Sequence, residues 1–215
     1  MDKEIAGYEE ILENKLTVRA ANLLFLTGKI HGIDVTVVRS GIGKVAAALA
    51  TTILIDRFKA DVVINTGIAG GITARPLSVV VARDAVQHDF DLTADGQPLG
   101  HIQGVGTYLK SSPRLVEAFS SAIDGALVGT IATGDQFVAS REKNDFLRDT
   151  FGAIACDCES GAVLEVCQIA GVEGVSVRVI SDGADEKAPM SYHELAEKAS
   201  RMGVEAVSKV ISELY

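Results

Sequence analysis

The chain has 215 residues, 47% hydrophobic and 23% charged, a composition that makes one globular domain spanning 1–215 the simplest expectation and excludes a disordered chain. A formal net charge of −9 argues against a nucleic-acid surface, since phosphate contacts draw on clustered Lys and Arg. No stretch has the length and apolarity of a membrane span and no basic-then-apolar leader opens the sequence, so a cytoplasmic protein with no membrane partner is expected.

The opening segment, MDKEIAGYEEILENK, reads as a helix with an acidic start and no apolar strand before it. NLLFLTGKIHGIDVTVVRSG then holds two apolar runs around a Gly-containing turn, which predicts a hairpin. KVAAALATTILIDRFK predicts a largely buried helix, and ADVVINTGIAGG a strand buried on both faces and closed by glycines. LSVVVARDAVQ is a further strand, SSPRLVEAFSSAI a helix with Pro near its start, and GALVGTIATG a strand again. AIACDCES leads into the helix GAVLEVCQIAG, and VEGVSVRVISD is the last strand. A final helix is expected from Ser191, where Ser191 and Glu194 form a capping box and Leu195, Ala199, Met202, Ala206 and Val210 share one face. This alternation predicts an α/β sheet flanked by helices.

Ligands of open α/β sheets gather beyond the carboxyl ends of strands. Four such ends here are polar or glycine-rich: SGIGK (40–44), NTGIAGG (65–71), CDCES (156–160) and SDGAD (181–185). Neither a Walker A loop nor G-x-G-x-x-G is present. Glu159 opens a helix, where the helix dipole alone favours a carboxylate, but it also suits the vicinal hydroxyls of a sugar. Asp182 closes a buried strand, where Ser, Asp and Gly are ordinary turn formers; desolvation there would also let its carboxyl keep a proton for donation. Cys156, Cys158 and Cys167 fit no zinc spacing and read as reduced thiols, so neither a metal nor a cofactor is expected.

SGIGKVAAALA, VINTGIAGG, QHDFDLTA, ATGDQFV, DCES and VRVISDGAD occur in the order found in the 5′-methylthioadenosine/S-adenosylhomocysteine nucleosidases, and the sequence resembles that family along its whole length. The resemblance implies the fold of the nucleoside phosphorylase superfamily: a single-domain, twisted mixed β-sheet flanked by helices. It also implies a homodimer and hydrolysis of the N-glycosidic bond of a purine nucleoside. It assigns Asp182 to protonating adenine N7 with Ser181 orienting it, Glu159 to the ribose hydroxyls, and Glu4 to the attacking water. It places Phe137 against the adenine ring and Val138 at its edge, Ile42, Ala69 and Gly70 at ribose and water positions, and Tyr192 beside the ribose and 5′ group.

Family members begin with a short strand of the type KIGIIGAM ahead of the glutamate; Met1 falls where that strand ends, so the usual first strand is expected to be lacking. Ile68 replaces a small hydroxylated residue, Cys158 a methionine under the ribose, and Asp95 an apolar residue of the 5′-alkylthio pocket. A phosphorylase on the same fold, a futalosine-type nucleosidase and an impaired purine-nucleoside-binding relative remain open alternatives. The absence of arginine around NTGIAGG favours water over phosphate.

Overall fold

The computed structural model describes the backbone of residues 2–185 and 188–214; the side chains of 2–4 and 188–194 lie outside the described set. The chain starts with α1 (Asp2–Ile11), which ends four residues before the helix expected from the sequence, and turns directly into a strand, β1 (Glu13–Ala20). A tight turn at Ala21 and Asn22, both at positive φ, leads into β2 (Leu23–Ile30). The expected hairpin follows: His31 (φ 52°) and Gly32 (φ 81°) form the two-residue turn that matches strand twist, and β3 (Ile33–Val38) returns along β2. These three antiparallel strands form one sheet.

The larger sheet is built from the α/β half. After α2 (Lys44–Asp56) come β4 (Val62–Gly71), β5 (Val79–Gln87), a short 3₁₀ turn (Thr93–Asp95) and β6 (Leu109–Lys110). Then follow α3 (Pro113–Ala122), β7 (Leu127–Thr133), α4 (Arg141–Phe151), β8 (Ala153–Asp157), α5 (Ser160–Ala170), β9 (Glu173–Asp182) and α6 (Ala188–Leu214). Its order is β6-β5-β7-β8-β4-β9, and a further pairing of β5 with β9 closes the sheet on itself. Pairings are mixed: β4–β9, β5–β7 and β7–β8 run parallel, while β4–β8, β5–β6 and β5–β9 run antiparallel. The twisted mixed sheet flanked by helices is thus the architecture observed.

Helices α1, α3 and α6 cover one core, in which Tyr8, Phe119, Val179, Ala199 and Val210 meet, and α5 with α2 covers another around Ala47, Val163 and Cys167. Three expectations change. Helix α2 is not largely buried: only Ala47, Ala50 and Thr51 are, whereas Val45 is 82% exposed. Strand β4 is not buried on both faces, because Val62, Ile64 and Ile68 are only half-buried. Helix α6 begins three residues before Ser191, so Ser191 is not its N-cap; the side chains of the expected capping box lie outside the described residues.

Among the described residues no helix is long and apolar enough to cross a membrane. The three cysteines are free thiols, and burial pushes those of Cys158 and Cys167 up to about 12. Such thiols stay protonated and weakly nucleophilic.

Candidate active site

A cavity of about 1310 Å³ opens where β4, β8 and β9 end, beside the 40–44 loop. Strand β9 brings Ser181 and Asp182 to its wall, and both are almost fully buried, at 1% and 2% exposure. Ser181 Oγ donates to Asp182 Oδ2 at 2.8 Å, and the Ala184 N–H donates to Oδ1 at 2.9 Å. Burial pushes the Asp182 carboxyl above its ordinary value; these two hydrogen bonds pull the other way, and Asp185 adds repulsion in the upward direction. The result is an acid of raised proton affinity whose anion has two donors waiting.

Gly70 lies across from Asp182 in the β4–β9 ladder, at a register shift. A Cβ on Gly70 would stand 3.2 Å from Asp182 Oδ1 and 3.1 Å from both Cys156 Sγ and Ala184 Cβ, so a side chain there would require these neighbours to give by a few tenths of an ångström. Ala69 is buried beside it, and its carbonyl accepts from Ser181 Oγ at 3.3 Å.

The second carboxylate stands at the start of α5. Glu159 occupies the N-cap position, and its Oε1 accepts from the Gly43 N–H at 3.1 Å, which ties the 40–44 loop to the cavity. Gly43 holds φ 95°, a conformation open to glycine that brings this N–H to the carboxylate. Arg178, 3% exposed, joins the two acids of the CDCES loop: its Nη2 is 2.7 Å from Asp157 Oδ2 and 3.4 Å from Glu159 Oε2. Asp157 also accepts from Thr133 Oγ1 at 2.6 Å and from the Ser160 hydroxyl and N–H, so its charge is fully engaged. Sequence reasoning missed Arg178, Asp157 and Thr133. The signal was present, since an arginine inside the apolar run VSVRVI can be buried only against an anion.

At the mouth, Phe137 and Ile42 are 59% and 75% exposed, while Val138 is buried. Cys158 is half-buried, its Sγ 3.8 Å from the Gln136 carbonyl. The structure therefore gathers Asp182, Ser181, Glu159, Cys158, Phe137, Val138, Ile42, Ala69 and Gly70 around one cavity. Glu4 on α1 and Tyr192 on α6 fall among residues whose side chains lie outside the description. Ile68 lines the same cavity, whereas Asp95 is exposed on the 3₁₀ turn. Among the described residues no group of His, Cys, Asp and Glu is arranged to hold a metal.

A buried acid of raised proton affinity, lining the same cavity as a second carboxylate, can protonate a leaving base while the other carboxylate grips hydroxyls. Comparison with known proteins gives the same direction. The family model described as the phosphorylase superfamily matches residues 1–215. A 5′-methylthioadenosine/S-adenosylhomocysteine nucleosidase of Geobacillus thermodenitrificans is 36% identical over 220 residues, covering 99% of this chain and 93% of the relative. The nucleosidase of that name from S. pneumoniae, solved with the transition-state inhibitor MT-ImmA, superposes with a TM-score of 0.96 at 29% identity, covering 100% of this chain and 96% of that one. A futalosine hydrolase of Helicobacter pylori superposes with a TM-score of 0.96 at 33% identity, covering 99% and 94%.

Proposed function

The chain belongs to the phosphorylase superfamily, and from that premise we propose that it hydrolyses the N-glycosidic bond of 5′-methylthioadenosine and S-adenosylhomocysteine, releasing adenine. The observation that carries this reading is the buried Asp182 with its raised proton affinity, set beside Ser181 and across from Gly70.

In this reaction the Asp182 carboxyl gives its proton to N7 of the purine, and the electron pair of the N9–C1′ bond leaves with the base. The ribosyl group gains oxocarbenium character, and water adds at C1′, losing a proton to Glu4. Asp182 ends as a carboxylate held by the Ser181 hydroxyl and the Ala184 N–H, so its charge appears where two donors already point. Glu159, anchored by Gly43 and Arg178, accepts hydrogen bonds from the ribose hydroxyls. Phe137 stacks on the adenine, the backbone of Val138 reads its edge, and Ile42, Ala69, Gly70, Cys158 and Tyr192 enclose the ribose and its 5′ group. Hydrolysis is favoured over phosphorolysis because Arg178 is committed to Asp157 and Glu159. The protein acts in the cytoplasm as a homodimer, in which the exposed Ile42, Val45 and Leu49 find cover.

The test is adenine release from 5′-methylthioadenosine by the purified protein in phosphate-free buffer. Free adenine with methylthioribose supports the proposal; turnover only with added phosphate makes the protein a phosphorylase. A futalosine substrate is the second reading, favoured by the likeness to the Helicobacter hydrolase, and is assayed alongside.

A further inference from the structure

Helix α2 starts without the groups that a helix start ordinarily supplies for itself. Its N-cap is Gly43, which has no side chain to offer, and no acid lies in its first turn. Its first residue is Lys44, a cation set against the positive end of the helix dipole. The missing groups come from two other segments. Asp135, just beyond β7, accepts from the Lys44 N–H at 2.8 Å, and Asp89, just beyond β5, accepts through Oδ1 from Lys44 Nζ at 2.6 Å. The second oxygen of Asp89, Oδ2, accepts from the Asp135 N–H at 2.9 Å, so one carboxylate holds both partners. The pair is largely withdrawn from water, with 19% of the Lys44 and 16% of the Asp89 side chain exposed. Burial by itself would raise the Asp89 carboxyl, but the bonds from Lys44 and the Asp135 N–H outweigh it and hold the group below its ordinary value, an anion at neutral pH. A Cβ on Gly43 would stand 2.9 Å from Asp135 Oδ1, so the loops that meet here also approach closely.

These contacts join the two loops that carry ligand-facing residues. The 40–44 loop brings Ile42 to the cavity and supplies the Gly43 N–H that anchors Glu159. The segment that follows Asp135 brings Gln136, Phe137 and Val138 to the same cavity, whereas Lys44, Asp89 and Asp135 stand behind its lining. We propose, on the nucleosidase reading above, that Asp89 is a positioning residue of this site: through Lys44 and Asp135 it fixes the ribose-side loop and the base-side loop at the spacing a purine nucleoside requires. A carboxylate suits this task because it answers a cation and an N–H with separate oxygens, while an amide in its place has one acceptor oxygen to share. The clamp acts on groups that bind the nucleoside and makes no contact with Asp182. Its loss therefore weakens binding in the ground state and the transition state alike and leaves proton donation as it was.

The experiment compares the full chain with Asp89→Asn and Lys44→Met, singly and together, in the methylthioadenosine assay and by amide hydrogen exchange without substrate. For Asp89→Asn, KM is expected to rise about tenfold with kcat held within about threefold, and the alkaline limb of kcat/KM stays in place. The Gly43, Lys44 and Asp135 amides should exchange about tenfold faster or more. The double variant should bind little worse than the poorer single one, because both changes remove the same ion pair. Lys44→Arg, which restores the cation, should recover part of the KM. A lowered kcat or melting temperature with KM unmoved overturns the assignment and leaves Asp89 a support of the fold, and strictly additive effects of the two changes overturn it as well. If the parent protein itself releases no adenine, the nucleosidase reading fails and exchange decides the clamp alone: faster exchange at the three amides in Asp89→Asn sustains it, and unchanged exchange overturns it.

Discussion

At Asp182 burial and hydrogen bonding oppose each other, and the balance has two measurable consequences. The folded carboxyl holds its proton more tightly than the unfolded chain, whose value is near 3.8. Its contribution to stability is therefore complete below that value and is lost as pH rises through the folded one. Asp182→Asn removes this ionisation: turnover is abolished, and the melting temperature relative to the parent rises between pH 3 and pH 7. A variant with parental turnover would remove Asp182 from the proton-donor role. Ser181 acts on the anion, not on the acid. Ser181→Ala deletes a hydrogen bond to a charged group, worth about 1.5–3 kcal/mol, so the limiting rate falls by about 10- to 150-fold. Because the Ser181 bond lowers the carboxyl pKa, its loss moves the alkaline limb of the kcat/KM profile to higher pH. An unmoved limb would mean that Ser181 serves packing alone.

Elements place these residues, and their legibility in the sequence differed for physical reasons. Strands β4, β5, β7 and β9 are long apolar runs closed by polar or glycine residues, and each was evident because burial leaves a compositional trace. Strand β1 left almost none: most of its residues are exposed, and its place is fixed by backbone pairing with β2. The site followed the same division. Asp182 and Glu159 stand at element ends, where a sequence shows them, whereas the grouping of Arg178, Asp157 and Thr133 arises only when β9, β8 and β7 are brought together. Arg178→Met leaves two carboxylates without their shared cation, and breaking a buried pair costs about 3–5 kcal/mol. Urea unfolding should report that loss together with a raised KM, since Glu159 loses one of its anchors. Arg178→Lys, which keeps the charge without the fork, should recover part of the stability. A loss of stability below about 1 kcal/mol would mean that hydrogen bonds from Thr133 and Ser160 suffice for Asp157.

Across the whole molecule, β3 and β4 share no strand pairing among the described residues, so the two sheets are expected to differ in stability. The six-stranded sheet closes on itself, so an opening of β7 or β9 must break ladders on both sides. The three-stranded sheet shares no strand pairing with it among the described residues. It is held mainly by side-chain packing: Leu26 and Ile30 enter a core shared with α1, α6 and the valines of β5 and β9, and Phe25 stacks on Phe58 with ring centroids 4.8 Å apart, while His31 bonds Ser208 and Arg57 bonds the Arg19 carbonyl. Packing of that kind can be lost by one sheet without unfolding the other, which is the condition for a separate opening unit. Native-state hydrogen exchange in low denaturant should therefore show the β2 and β3 amides opening at a lower free energy than those of β7 and β9. Since Asp182 stands on β9 and Glu159 follows β8, the carboxylates should keep their arrangement during such openings, and the bonds of Gly43 to Glu159 and of Lys44 to Asp135 and Asp89 should hold the end of the 40–44 loop with them. A single opening free energy for all four strands would instead show that the packing under β2 couples the sheets as tightly as a shared ladder.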